Sequence, residues 1–320
     1  MLKHAIVGAA IGGFIGLVLG GPVIGAVIGT VSSLSIRYWN GRRARALLVL
    51  VGLGFAGEGM AQSAGSEESD LQVFVEERGE GPPVLLVHGG MMDRLMWQPQ
   101  WDGLGDELRL IRFDVRGAGK SAPSDPFHPA DDMLAILDQL GVDQAYIVGL
   151  SNGGSFAVDF ALAYPERVKT LILAEPGITG FQFDASITRQ QMEMIAAFRV
   201  RDMDKATRLA LASPAFEFTR RNHDAWVAVE RLVRRNVGSF AMFPRYRYHE
   251  PRAVDALARL SVPTALIVSE FAGPSALAIA ELIEKDVPKL VRFVIPDAGH
   301  MMNLENPAAF NRVIEEIVAE

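Results

Sequence analysis

The sequence YIVGLSNGGSFAVDFA, residues 146–161, combines the features of a strand, a tight turn and a helix. It begins as an apolar run typical of a buried strand and continues with the apolar spacing of a helix. At the junction, GLSNG at residues 149–153 matches the pattern G-x-S-x-G. A serine on such a strand-to-helix turn needs a strained backbone, so the positions around it must be small. The pattern therefore predicts that Ser151 presents its hydroxyl group as a nucleophile at the end of a strand.

Strand-like and helix-like segments alternate on both sides of this turn, from Leu71 to Gly177 and again from residue 260 to the end of the chain, whereas the residues between them have a helical pattern. Such alternation indicates a mainly parallel sheet that helices cover on both faces. Ligands bind to these sheets beyond the carboxyl ends of the strands. Five segments fall at these ends: HGG (88–90), GLSNGG (149–154), AEPG (174–177), SEFAGP (269–274) and DAGH (297–300). We therefore expect the functional site to be built from them.

Four motifs resemble those of the α/β-hydrolase superfamily, in the order the superfamily has them, over about residues 71–320. They are VLLVHGG (84–90), DVRGAGKS (114–121), GLSNGG (149–154) and PDAGHMMNLENP (296–307). The resemblance implies the α/β-hydrolase fold, with a mainly parallel eight-stranded sheet flanked by helices and a helical cap inserted after the sixth strand. The alternating pattern places the core at residues 71–177 and 260–320, and the cap at residues 178–259.

A serine hydroxyl is a poor nucleophile until a base accepts its proton. His300 of DAGH stands where the superfamily carries its catalytic histidine, so the resemblance implies that His300 is the base. The resemblance also implies an oxyanion hole made of two backbone N–H groups, those of Asn152 and Gly90, with Met91 as the near alternative to Gly90. No metal and no cofactor enter this chemistry.

The acid that should orient the histidine is the point where this chain departs from the superfamily pattern. Relatives commonly carry G-E-x-D after the seventh strand, whereas this chain has Ser269 for the glycine and Ala272 for the aspartate. Glu175 is the first replacement, because it ends the preceding strand and a buried carboxylate there needs a partner. Glu270 lies two positions before Ala272, and its longer side chain is the second candidate to reach His300. It ranks below Glu175 because adjacent residues at a strand end face opposite ways. The third alternative is that no acid exists and the protein is slow or inactive.

Composition narrows the class of partner. The net charge of −7 argues against nucleic acid, and the absence of cysteine excludes a thiol nucleophile, a disulfide frame and a thiolate metal site. Together with the resemblance, this predicts a serine hydrolase that cleaves a small carboxylic ester or lactone through an acyl-enzyme. Three alternatives stay open: a membrane-tethered binding protein that keeps the fold without turnover, a C–C or amide hydrolase, and a cofactor-free haloperoxidase on the same residues. The sequence leaves the exact substrate and the oligomeric state undetermined.

Residues 1–62 form a separate glycine-rich hydrophobic segment, which a polar linker at residues 63–70 joins to the rest. Residues 5–34 carry no charge and exceed the ~20 residues that a membrane-spanning helix needs. A basic cluster and the short apolar stretch 46–57 follow, in the manner of a signal peptide. These patterns predict a membrane anchor or export signal, with the catalytic domain on the non-cytoplasmic side (the periplasm in a bacterium). A start of translation after this segment is the open alternative.

Overall fold

A seven-stranded sheet organises the part of the chain that the computed structural model describes, residues 73–124, 126–239 and 246–319. The strands are β1 (Val75–Arg78), β2 (Pro83–Val87), β3 (Arg109–Phe113), β4 (Ala145–Leu150), β5 (Val168–Ala174), β6 (Thr264–Ser269) and β7 (Leu290–Ile295). They lie side by side in the order β1-β3-β2-β4-β5-β6-β7. Strand β1 runs antiparallel to β3, and the other neighbouring pairs are parallel.

The burial of each strand follows from its place in the sheet. Every residue of the inner strands β4 and β6 is buried, which explains why both read as unbroken apolar runs. Strand β7 is at the edge, and Val291 and Val294 on it are more than half exposed. Successive side chains of a strand point to opposite faces. Accordingly, Ile147 belongs to the hydrophobic cluster on one face, whereas Tyr146 and Val148 belong to the cluster on the other.

Nine helices accompany the sheet in the described ranges, apart from short 3₁₀ turns. They are α1 (Gln98–Gly103), α2 (Pro129–Gln139), α3 (Asn152–Ala163), α4 (Ala185–Arg199), α5 (Met203–Leu211), α6 (His223–Asn236), α7 (Pro274–Asp286), α8 (Met302–Glu305) and α9 (Pro307–Ala319). Helices α2, α3 and α7 supply Met133, Phe156 and Ile279 to one cluster. Helix α9 supplies Phe310 and Ile314 to the other, so helices cover both faces.

Helices α4, α5 and α6 lie between β5 and β6 in the chain and form the predicted helical insertion, here called the cap. Each begins at a polar residue whose side chain accepts a backbone N–H of the first turn: Asp184 for α4, Asp202 for α5 and Asn222 for α6. The predicted fold class is confirmed. The described residues contain seven strands where the resemblance implies eight, so the strand counted sixth in the resemblance is β5 here.

The predicted membrane or export segment, residues 1–62, and the linker at residues 63–70 lie outside the described residues. Among the helices of the described ranges, none combines the length and the apolar character that a membrane span requires. The exact borders placed between core and cap at residues 177 and 260 stay predictions.

Candidate active site

Ser151 occupies a strained turn between β4 and α3. Its φ of 56° and ψ of −120° lie in a region that residues other than glycine rarely adopt. Two neighbouring glycines make the turn possible. A Cβ atom on Gly149 would lie 2.5 Å from the carbonyl oxygen of Gly153, and a Cβ atom on Gly153 would lie 2.1 Å from the carbonyl oxygen of Val87. The glycines of GLSNG are therefore required by close backbone packing around the serine.

Backbone hydrogen bonds hold the turn in this conformation. The carbonyl oxygen of Ser151 accepts the N–H groups of Gly154 at 2.9 Å, Ser155 at 3.2 Å and Gly177 at 2.7 Å. The N–H of Ser151 donates to the carbonyl oxygen of Ala174 at 3.1 Å, across to strand β5. The serine backbone is thus fixed to both the helix that follows it and the end of the neighbouring strand.

A buried carboxylate meets the predicted base. Glu175 directly follows β5 and is 3% exposed, and its Oε2 atom lies 2.8 Å from Nδ1 of His300. Its Oε1 atom accepts the backbone N–H of Ser269 at 3.0 Å and also the hydroxyl of Ser269. Both oxygens of this carboxylate therefore have partners.

The electrostatics of Glu175 favour the charged carboxylate. Burial acts to raise its pKa, but the hydrogen bond and the charge of His300, together with the two hydrogen bonds from Ser269, outweigh burial and hold the pKa below its ordinary value. A permanently charged carboxylate at Nδ1 can orient the imidazole ring and stabilise its cation.

The second candidate acid, Glu270, is not brought to His300. It is exposed, and its Oε2 atom accepts the backbone N–H of Asp297 at 2.9 Å. Ala272, at the position where relatives commonly have the acid, lines the cavity in front of Ser151. Ser269 stands where those relatives have glycine, and its hydroxyl now holds Glu175. The chain thus lacks the usual aspartate at position 272, and the carboxylate of Glu175, which follows β5, contacts His300 instead.

The predicted oxyanion-hole residues lie beside the serine. Gly90, Met91 and Asn152 all line the same cavity as Ser151. Met91 has a left-handed φ of 61°, in a turn closed by the N–H of Met92 and the carbonyl oxygen of Gly89 at 3.3 Å. None of the three N–H groups donates to another described residue. Asn152 is also the first residue of α3, where the helix dipole favours negative charge.

Ser151 and His300 face one cavity of about 780 Å³ under the cap. The hydroxyl of Ser151 makes no hydrogen bond to another described residue, so the serine–histidine hydrogen bond is not formed here. Such contacts often close only when substrate binds. The wall is mainly apolar and comes from both core and cap, with Met92, Met96, Leu150, Ile178, Phe183, Ile187, Phe216, Phe218, Ile279 and Met301.

Comparison with known proteins identifies the chain's relatives. A family model described as the alpha/beta hydrolase fold matches residues 82–307. The chain belongs to the α/β-hydrolase family. It is 24% identical to 3-oxoadipate enol-lactonase 1 of Acinetobacter baylyi, over 78% of this chain and 92% of that protein. It is 26% identical to the uncharacterized carboxylesterase nap of Bacillus subtilis, over 75% of this chain and 81% of that protein.

Solved structures of α/β-hydrolases agree with this assignment. A thermophilic esterase from Thermogutta terrifontis, with malate bound, superposes with a TM-score of 0.65 at 28% identity and covers 77% of this chain and 93% of its own. An enol-lactonase from Burkholderia xenovorans superposes with a TM-score of 0.67 at 20% identity, over 78% of this chain and 96% of its own, and shows the shared fold.

One residue of this α/β-hydrolase site, Glu305, escaped the sequence reasoning. It is 7% exposed at the end of α8, and its carboxylate accepts the N–H of Gly299 at 2.5 Å and the hydroxyl of Thr219 at 2.6 Å. Burial raises its pKa, although both hydrogen bonds act in the opposite direction. Because Gly299 precedes His300 and Thr219 belongs to the cap segment, Glu305 ties the histidine loop to the cap. The glutamate in the motif PDAGHMMNLENP (296–307) was the signal available in the sequence.

His88 positions the loop that carries Gly90 and Met91. Its Nδ1 pairs with the carbonyl oxygen of Gly89 at 2.8 Å, and its Nε2 accepts the backbone N–H of Val115 at 2.9 Å. Burial lowers the pKa of His88. The ring is neutral, because its Nε2 accepts a hydrogen bond and so carries no proton. Both ring nitrogens of His88 thus contact the backbone, so His88 has a structural role and is not the base.

Proposed function

We propose that this α/β-hydrolase cleaves small carboxylic esters or lactones through an acyl-enzyme on Ser151, without a cofactor. The observation that carries the proposal is the contact between Glu175 and His300, 2.8 Å long, in the same cavity as a serine on a strained turn. A serine nucleophile, a base and a buried acid that orients the base are the parts that acyl transfer requires.

In the first half of the reaction, the hydroxyl oxygen of Ser151 attacks the carbonyl carbon while Nε2 of His300 accepts the hydroxyl proton. Glu175 holds the Nδ1–H of His300, which keeps Nε2 available as the acceptor and stabilises the imidazolium. The N–H groups of Asn152 and Gly90 hold the negative charge that develops on the carbonyl oxygen. His300 then gives its proton to the departing alcohol oxygen, and the acyl group remains on Ser151.

In the second half, His300 takes a proton from water, and the resulting hydroxide attacks the acyl carbon. The bond to Ser151 breaks, the serine oxygen recovers its proton from His300, and the carboxylic acid leaves. For a lactone, the alcohol and the acid are two ends of one molecule. The oxyanion donors serve both halves, and removal of one such donor typically costs ~10²–10³ in rate.

The relatives support an ester or lactone as the bond that is cleaved. Enol-lactonase and carboxylesterase are the activities that two of them are named for, and each match spans most of the relative's length. The mainly apolar wall of the cavity supports an uncharged acyl group, which gains free energy when it leaves water.

The test is hydrolysis of p-nitrophenyl acetate, p-nitrophenyl butyrate and a simple lactone by the full chain. We expect turnover by the wild-type protein and its loss in Ser151→Ala. Ser275→Ala is the matched control, because Ser275 lines the same cavity and its hydroxyl makes no hydrogen bond to a described residue. Equal activity in Ser151→Ala would contradict the mechanism. If the folded wild-type protein hydrolyses none of these esters and lactones, the alternative of a binding protein without turnover is favoured. Analysis of the reaction products distinguishes ester hydrolysis from C–C bond hydrolysis, amide hydrolysis and haloperoxidase activity.

A further inference from the structure

A second cluster of reactive side chains lies away from the active site. It is found where residues 246–249, which follow the cap helices α4, α5 and α6 and are here called the segment after the cap, meet helix α2. It consists of His128, Asp131 and His249, none of which lines the cavity of Ser151. His128 caps α2, and the N–H of Asp131 donates to its carbonyl oxygen at 3.1 Å. Residues three apart on a helix lie on one face, so the first helical turn places His128 and Asp131 together.

His249 comes from 118 residues further along the chain, and the backbone brings it to this place. Phe127 and Tyr246 form a parallel bridge, and the N–H of Arg247 donates to the carbonyl oxygen of Phe127 at 2.8 Å. The chain segments on both sides of the cluster are therefore held together before any ligand arrives.

The geometry of the cluster fits a metal ion. One ligand atom from each of the three residues lies within 4.8 Å of the others, and Nε2 of His249 is 3.1 Å from Oδ1 of Asp131. Zinc bonds of ~2.0–2.1 Å in a tetrahedron separate neighbouring ligand atoms by about 3.3 Å. Two ligand atoms already have this spacing. The ring centroids of His128 and His249 are 4.9 Å apart, and the ligand atom of His128 lies within 4.8 Å of the other two.

Two further observations point to a ligand. Nδ1 of His128 is buried and has no hydrogen-bond partner in the described residues, which is costly for a polar atom. The hydroxyl of Tyr164 donates to Oδ1 of Asp131 at 2.6 Å, in the way that outer-shell groups orient a metal-binding carboxylate. The side chains of His249 and Asp131 are 40% and 48% exposed, so an ion from solvent can reach them.

We propose that His128, Asp131 and His249 bind a divalent transition-metal ion, zinc in the first instance, with water in the fourth position. The ion takes the place of the proton between Nε2 of His249 and Oδ1 of Asp131, and the neutral imidazole carries its proton on Nδ1. Two imidazoles and one carboxylate favour zinc over magnesium or calcium, which prefer oxygen ligands only. The bound ion ties the segment after the cap to α2 and takes no part in hydrolysis.

The test is metal binding by the full, chelator-treated chain. Calorimetry with Zn²⁺ should show one site per chain, and Co²⁺ should give the visible absorption of a tetrahedral complex. Zn²⁺ should also raise the melting temperature. Tyr164→Phe should weaken binding by ~10–100-fold, as loss of an outer-shell partner does, and His249→Ala or Asp131→Asn should weaken it more.

His223→Ala is the matched control, because His223 is an exposed histidine on α6 outside the cluster. This variant should bind Zn²⁺ as tightly as the wild-type chain does. His300→Ala separates this site from the active site. The proposal is overturned if the wild-type chain gives no heat and no cobalt spectrum, or if binding survives Asp131→Asn and His249→Ala but is lost in His300→Ala. Circular dichroism confirms that each variant is folded.

Discussion

Replacement of Glu175 by glutamine should reduce turnover far more than a change of one atom suggests. The N–H and the hydroxyl of Ser269 both donate to Oε1, so the amide of Gln keeps its oxygen on that side and turns its NH₂ group toward His300. A donor then faces Nδ1, which at present has the carboxylate 2.8 Å away. The imidazole must adopt the tautomer with its proton on Nε2, and that nitrogen cannot accept the proton of Ser151.

The size of the effect follows from this change of tautomer. An acid-to-amide replacement that preserves geometry lowers kcat by about 10⁴ in a serine protease, which corresponds to about 5 kcal/mol of barrier. We expect a loss of that order in kcat of Glu175→Gln on p-nitrophenyl butyrate, with KM little changed because the side chain is behind the histidine. The assay is steady-state hydrolysis by the full chain over a range of pH.

Glu270→Gln is the matched control for this prediction. Among the described residues, its exposed carboxylate accepts one hydrogen bond, from the N–H of Asp297, so the change should cost no more than ~0.5 kcal/mol, about twofold in rate. If Glu175→Gln retains a tenth or more of the wild-type kcat, or if Glu270→Gln loses as much as Glu175→Gln does, then Glu175 is not the acid.

Three further predictions concern buried and strained groups. Burial raises the pKa of Asp159 from 3.8 to about 7, so the folded chain loses stability as pH rises from 4 through 7, and chemical denaturation should show that Asp159→Asn removes this loss of at most about 4 kcal/mol. Ser151→Gly should increase the free energy of unfolding by about 1 kcal/mol, because it relieves the strain at a φ of 56°, and it should abolish hydrolysis. The melting temperature should therefore rise, and an unchanged melting temperature would contradict a strained turn. Thr219→Val removes a hydroxyl that donates to Glu305 and should lower kcat/KM roughly tenfold for ~1.5 kcal/mol lost, whereas Thr188→Val on the exposed surface of the cap should not.

Local sequence patterns predicted the parts of the site that depend on local backbone geometry. Ser151 needs a strand, a tight turn and a helix, and all three are written within sixteen residues. His300 and the oxyanion loop were predicted from the resemblance, because their motifs follow strands in the order that the superfamily has. The position of Glu175 at a strand end ranked it ahead of Glu270, but its contact with His300 joins residues 125 apart and depends on the order of the strands in the sheet.

Contacts between distant segments account for what the sequence did not reveal. Ser269 was read as a departure from the motif, and its role as a donor to Glu175 depends on β5 and β6 being neighbours. Glu305 reaches Thr219 across 86 residues, and no periodicity encodes such a contact. His249 matched no motif, and it becomes a candidate ligand only because the chain returns beside α2 after the cap.

The central claim is that Ser151 is a nucleophile activated by His300 and Glu175. The most direct measurement is reaction of the full chain with a fluorophosphonate, followed by mass spectrometry of the intact protein and of its peptides. We expect one adduct per chain on Ser151, formed much more slowly in Glu175→Gln and at an unchanged rate in Glu270→Gln. An adduct on another residue, or equal rates in all three proteins, would contradict it.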